Sequence, residues 1–269
     1  MTTLSPETIA ELRATAHALA DAARVAIMPH FRNAGLITDD KGQGRFDPVT
    51  TADRAAEAAM RAVLAIRRPD DAIMGEEQED TPGTTGLTWV LDPIDGTRGF
   101  IAGTPTWGVL VAVQDHTGSL YGLIDQPYIG ERFEGGFGHA RLVGPHGDTP
   151  LASRGTRHLA DATLFTTFPE LGTDGERARF NTIRNRVKLV RYGMDCYAYA
   201  LIALGQVDLV IEAGLHPYDV AAPIAVIEAA GGIVTDWNGG PAQHGGRILA
   251  AANRHIHAEA LAFLTGLPA

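Results

Sequence analysis

Apolar residues in the first part of the chain recur at helical spacing. Ile9, Leu12, Ala16, Leu19, Ala23 and Ile27 fall on one stripe. Ser5-Pro6-Glu7 precedes them, a capping hydroxyl followed by proline at the first helical position. A second helix is predicted from near Thr51 through Ala56, Met60, Val63 and Leu64, with Asp53 in its first turn. Between the two helices, Lys41-Gly42-Gln43-Gly44-Arg45 is polar and glycine-rich and reads as a mobile loop.

After Pro69 the pattern shortens to strands, at Ala72 to Met74, Trp89 to Leu91 and Val109 to Val113. His116-Thr117-Gly118-Ser119 reads as a hairpin turn into Leu120 to Ile124, and glycine-rich strand-like pieces continue to Leu151. Consecutive strands predict an antiparallel sheet flanked by the two early helices. From about residue 155 strand and helix alternate. Val187 to Arg191 reads as a strand, Cys196 to Leu204 as a helix and Leu209 to Ile211 as a strand. Asp219 to Ala230 is a helix ended by Gly231-Gly232, with strands at Ile233 to Thr235 and Ile248 to Ala250. The change of rhythm predicts a boundary at residues 145–155. Residues 1–150 then form an α+β metal-binding domain, and residues 151–269 an α/β domain that completes the active site. Two sheets sandwiched by helices are the expected architecture.

At 269 residues the chain can bury one large core or two smaller ones. No stretch is long and uncharged enough to cross a membrane. The start, Met1 to Pro6, lacks a basic segment followed by an apolar run, so no secretory signal is expected. Cys196 is the single cysteine, which forbids an internal disulfide and points to a cytoplasmic location. A net charge of −10 argues against a general nucleic-acid binder. It leaves room for a small phosphorylated substrate, because bound cations neutralise an acidic site and then attract phosphate.

The candidate chemistry is acidic. The strand Trp89-Val90-Leu91 ends in Asp92-Pro93-Ile94-Asp95-Gly96-Thr97, and Glu76, Glu77, Asp53 and Asp219 also fall at ends of predicted elements. Oxygen-only ligands suit a hard cation such as Mg2+, and buried carboxylates without one repel each other. Each residue alone also has a plain reading. Asp95-Gly96 is a common turn dipeptide, and Glu76 a solvated side chain. Asp53 is a helix-dipole residue and Asp219 a helix cap. The joint occurrence favours a metal site.

Asp92 to Thr97 resembles the signature of the inositol monophosphatase superfamily of magnesium-dependent phosphomonoesterases. Tyr218-Asp219-Val220-Ala221-Ala222 with Gly231-Gly232 resembles its second signature. Gly75-Glu76-Glu77 and Asp47-Pro48-Val49-Thr50-Thr51-Ala52-Asp53 resemble two further segments. The resemblance implies a layered αβαβα sandwich of the sugar-phosphatase type and two to three Mg2+ ions. It assigns the first ion to Glu76, Asp92 and the Ile94 carbonyl, the second to Asp92, Asp95 and Asp219, and a weaker third to Glu76 and waters. Thr97 and Asp53 would orient the attacking water, and the N–H groups of Gly96 and Thr97 would hold phosphate oxygens. Lys41 resembles the lysine of the family's mobile metal-binding loop. The resemblance also implies a homodimer.

Arg98 to Gly108 and Gly193 to Ala200 look like the histidinol-phosphate phosphatase branch. Histidinol phosphate carries an ammonium group and an imidazole, so Asp195 and Glu212 are candidate partners for those cations. For Asp195 a helix N-cap before Cys196 is the rival reading, and for Glu212 an edge-facing structural role. Arg98 reaches the phosphate, pins the loop or forms a surface salt bridge. His216 and Trp107 read as packing residues. The leading expectation is a histidinol-phosphatase of histidine biosynthesis. The alternatives are an inositol-1-phosphate or broad sugar-phosphate phosphatase, and a non-catalytic regulatory or binding protein on the same fold.

Overall fold

Ser5 starts the first helix as predicted: its Oγ accepts the Thr8 N–H at 3.2 Å ahead of α1 (Pro6–Ile27). The computed structural model describes residues 4–33, 35, 38–40 and 48–265, so Lys41, the glycine-rich segment and Asp47 lie outside the described residues. Strands β1 (Thr38–Asp40) and β2 (Pro48–Thr50) pair antiparallel and lead into α2 (Thr51–Arg67). Asp53 is the third residue of α2. Its Oδ2 accepts from the Thr50 N–H at 2.8 Å and the Thr50 hydroxyl at 2.5 Å, closing a reciprocal cap.

The first sheet comprises β3 (Ala72–Gly75), β4 (Thr88–Asp95), β5 (Gly108–Asp115), β6 (Gly118–Gln126), β7 (Glu131–Gly136), β8 (His139–Val143) and β9 (Thr149–Pro150), in that spatial order. The short helix α3 (Thr97–Ala102) lies between β4 and β5 in the chain. The expectation of an antiparallel sheet is corrected at one edge, where β3 and β4 run parallel. Residues 76–87 form a long crossover that brings the chain back to start β4 alongside β3.

The second sheet is built from β10 (Thr163–Thr166), β11 (Leu189–Tyr192), β12 (Leu209–Leu215), β13 (Ile233–Asp236) and β14 (Gly246–Ala251), ordered β11-β10-β12-β14-β13. Helices α4 (Asp174–Arg184), α5 (Asp195–Ala203), α6 (Pro217–Ala229) and α7 (Arg254–Leu264) complete the chain. Helix α4 escapes a periodicity reading because only Phe180 and Ile183 of its residues are buried.

Strand alternation sorts the core into layers. Trp89 and Leu91 of β4 face α1 and α2, against Leu12, Leu19 and Met60. Val90, between them in sequence, faces the middle layer with Tyr199, Val220 and Ile227. The far face of the second sheet is covered by Phe180, Ile256 and Leu264 over Leu164, Leu209 and Leu249. The result is the expected αβαβα sandwich. The sheets change over between Pro150 and Thr163. A domain boundary at residue 150 stays a proposal, since the middle layer packs on both sheets. No described helix is long and apolar enough to cross a membrane.

Glycines set how closely α6 approaches the first sheet. A Cβ on Gly122 would lie 2.4 Å from the Ala222 carbonyl oxygen, and one on Gly135 would lie 2.6 Å from the Val226 Cα. Without side chains at these positions, the helix rests directly on the backbones of β6 and β7.

Candidate active site

Asp92 and Asp95 are an odd number of residues apart, so regular alternation would send them to opposite faces of β4. The pairing with β5 slips between them: Asp92 sits opposite Leu110, but Asp95 opposite Gly108. This bulge takes up one extra residue around Pro93-Ile94 and turns both carboxylates to one side. Asp95-Gly96 therefore makes no hairpin. Gly96, at φ +85°, instead ends the strand and caps α3.

Asp219 reaches the same point from α6. His216 occupies the cap position and Asp219 is the third residue, its Oδ2 accepting from the His216 N–H at 2.6 Å. The N-cap reading of Asp219 is thereby corrected: His216 is the cap, and Pro217 and Tyr218 already belong to the helix. One carboxylate oxygen from each of Asp92, Asp95 and Asp219 lies within 4.8 Å of the others. Each of these side chains is held by a single backbone N–H. Ile94 donates to Asp92 Oδ1 at 3.1 Å, Cys196 to Asp95 Oδ2 at 2.6 Å, and His216 to Asp219. Such bonds fix the orientation of each carboxylate.

Glu76, just past β3, lines the same cavity and lies close enough to Asp92 to raise its pKa. It is half-buried, which removes the solvated-surface reading. Burial, then the neighbouring carboxylates, pushes Asp92 and Asp95 well above the usual carboxylate range. Burial raises Asp219 to about 6. Three clustered oxygen donors that repel one another fit a divalent hard ion.

Thr97 opens α3, and its hydroxyl donates to the Ile94 carbonyl at 3.2 Å. Helix α3 packs against β2, which brings the start of α2, and with it Asp53, to the back of this segment. Asp53 is fully buried.

The cavity, about 500 Å³, extends from the three aspartates to Arg98, Phe168, Asp195, Tyr199 and Glu212. Asp195 is the first residue of α5 and has φ +45°, a left-handed backbone rare outside glycine. It makes no cap; its Oδ2 accepts from the Thr106 hydroxyl at 3.3 Å, and its side chain lies against Gly96. The cap reading of Asp195 is overturned because its backbone turns the carboxylate back over the 96–99 segment. Burial raises Asp195 to about 6, offset by Thr106 and the Arg98 charge.

Glu212 lies inside β12, between β10 and β14, so its edge-facing reading is also overturned. Its Oε1 accepts from the Thr167 N–H at 2.6 Å and hydroxyl at 2.9 Å, and its Oε2 from the Thr166 hydroxyl at 3.1 Å. Burial raises it to about 7, with Asp195 adding to the shift. The Arg98 guanidinium stacks 5.1 Å from the Phe168 ring centroid, across the mouth between α3 and the loop after β10. Phe168, Thr167 and Tyr199 carry no sequence signal as site residues: they become neighbours only when the second sheet folds over the first. His216 stacks on Tyr218 at 5.1 Å beside Asp219, whereas Trp107 is fully buried among Phe31 and Phe100.

The model described as the inositol monophosphatase family matches residues 8–265. The "Bifunctional phosphatase IMPL2, chloroplastic" of Arabidopsis thaliana is 42% identical over 238 residues, covering 88% of this chain and 67% of its own. The histidinol-phosphatase of Streptomyces coelicolor is 33% identical over 270 residues, covering 96% of this chain and 98% of its own. A solved inositol monophosphatase from Zymomonas mobilis superposes with TM-score 0.83 at 39% identity, over 97% of this chain and 99% of that one.

Proposed function

The chain belongs to the inositol monophosphatase family of metal-dependent phosphatases, and from that premise we propose that it hydrolyses L-histidinol phosphate to L-histidinol and phosphate. The observation that carries the substrate assignment is Asp195, with Glu212 as its neighbour in the cavity; of the two, only Asp195 separates this substrate from inositol phosphate. Both line the cavity beyond the three clustered aspartates, and burial raises both. A neutral polyol brings neither carboxylate a charge partner, whereas an ammonium and an imidazole would add positive charge and N–H donors to the bonds from Thr106, Thr166 and Thr167. The Streptomyces relative's name agrees with this substrate. The Zymomonas structure's title favours inositol phosphate, the second reading.

Glu76, Asp92, the Ile94 carbonyl, Asp95 and Asp219 would hold two to three Mg2+ ions. Ions held there would supply charge neutralisation for the phosphate and acidify water at the site. Asp53 and the Thr97 hydroxyl would orient the attacking water. The N–H groups of Gly96 and Thr97 hold equatorial phosphate oxygens, and Arg98 approaches from the mouth. The ester is attacked by water directly, without a covalent phosphoenzyme. We also propose magnesium as the working ion, a homodimer as the assembly and histidine biosynthesis as the setting.

Phosphate release from L-histidinol phosphate and from inositol 1-phosphate, measured with Mg2+, tests the assignment. A clear preference for histidinol phosphate is expected. Much faster turnover of inositol 1-phosphate would move the protein to the second reading and remove Asp195 as a specificity residue.

A further inference from the structure

Glu57 is a fully buried carboxylate outside the cavity, on the same face of α2 as Asp53 and one turn further along. It is spent on the bend that follows β3. Its Oε2 accepts the Glu77 N–H at 2.7 Å and its Oε1 the Gln78 N–H at 3.2 Å. Arg61, one turn on, donates from Nε to Oε1 at 2.8 Å and continues to the Gln78 carbonyl at 3.2 Å and the Thr81 hydroxyl at 3.0 Å. The fit is tight: a Cβ on Gly75 would lie 2.3 Å from Glu57 Oε1. A side chain at 75 would press on the Glu57 carboxylate and the Arg61 guanidinium, and Glu76 sits between that contact and the first of the two N–H bonds.

We infer that Glu57 is a positioning residue for Glu76, fixing the backbone on both sides of the proposed metal ligand. Two adjacent N–H groups converging on one carboxylate hold the bend in a single conformation, and Arg61 holds the carboxylate. Helix α2 thereby spaces Asp53, on the water side, from the Glu76 bend, on the metal side. Glu57 touches neither metal nor ester and acts only through the main chain.

The inference rests on Glu76 being a metal ligand, and the test separates the two. Mn2+ is titrated calorimetrically into the metal-free full chain, wild type and Glu57→Gln. The amide can offer its single oxygen to only part of this donor set and turns an N–H2 toward the rest. The expected result is about a ten- to hundredfold weaker Mn2+ affinity, the range for lost outer-sphere partners, with far-UV circular dichroism unchanged. Asp71→Asn is the comparison, since Asp71 is a buried carboxylate of the same layer that holds Arg68, Thr85 and Trp89 instead. Unchanged Mn2+ affinity in Glu57→Gln overturns the inference, as does an equal loss in Asp71→Asn. If Glu57→Gln does not fold, Arg61→Gln, which keeps the carboxylate and removes its clamp, is expected to weaken Mn2+ several-fold. Wild-type affinity in that variant overturns the inference. Failure of the wild type itself to bind Mn2+ instead removes the metal-ligand reading of Glu76.

Discussion

Asp92 is the residue on which most depends, because it stands between Glu76 and the other two aspartates and is fully desolvated. Asp92→Asn is expected to abolish ester hydrolysis and weaken Mg2+ at least tenfold, checked by phosphate release and by calorimetry on the same preparation. Retained metal affinity would assign Asp92 to the fold alone. Asp195→Asn keeps the shape that fills the space against Gly96 while removing the charge. Its expected effect is a fall of about 10- to 100-fold in the kcat/KM ratio of histidinol phosphate to inositol 1-phosphate, the worth of a hydrogen bond to a charged group. Equal loss on both esters would make Asp195 structural. The acidic residues were legible in the sequence because each falls in a compact string at an element end. The N–H that holds Asp95 was not, since its donor at residue 196 depends on how a distant helix docks.

At the scale of elements, sequence periodicity located the amphipathic helices α1 and α2 and the strands with clear apolar runs. It missed α4, whose buried face is narrow, and the parallel pairing of β3 with β4, which depends on the path of residues 76–87. The bulge between Asp92 and Asp95 was equally hidden, although Pro93 inside a strand marks a place where regular pairing fails. The close seat of α6 on the first sheet brings Asp219 to β4. Gly122→Ala would press a methyl group into the backbone of α6 and is expected to cost about 1–3 kcal/mol, read by denaturant unfolding. Gly155→Ala, at a site with open space around it, is the control and should stay within about 0.5 kcal/mol. Equal effects would show that α6 tolerates a shift away from the sheet.

Across the whole molecule, the acidic cavity links folding, protons and cations. Asp195 and Asp219 keep their protons in the folded chain to about pH 6 and Glu212 to about pH 7. In an unfolded chain these carboxyls ionise near pH 4. The folded chain thus binds more protons in that window, and these groups oppose folding increasingly as pH rises from about 4 to 7. Glu134, held low by His17, Tyr121 and Arg141 despite its burial, works in the opposite sense: its contribution is present above pH 4.5 and is lost on acidification. Cations compete with the cavity protons, so the rise in unfolding temperature produced by a fixed Mg2+ concentration should grow from pH 5 to pH 8. A rise that is flat with pH would mean that the aspartates are already ionised. The same cluster draws Asp92 and Asp95 from the first sheet and Asp219 from a helix between the sheets. A ribosome therefore emits an unfinished cluster until residues past 219 emerge and dock, and any fragment cut before that point keeps Asp92 and Asp95 without their third partner.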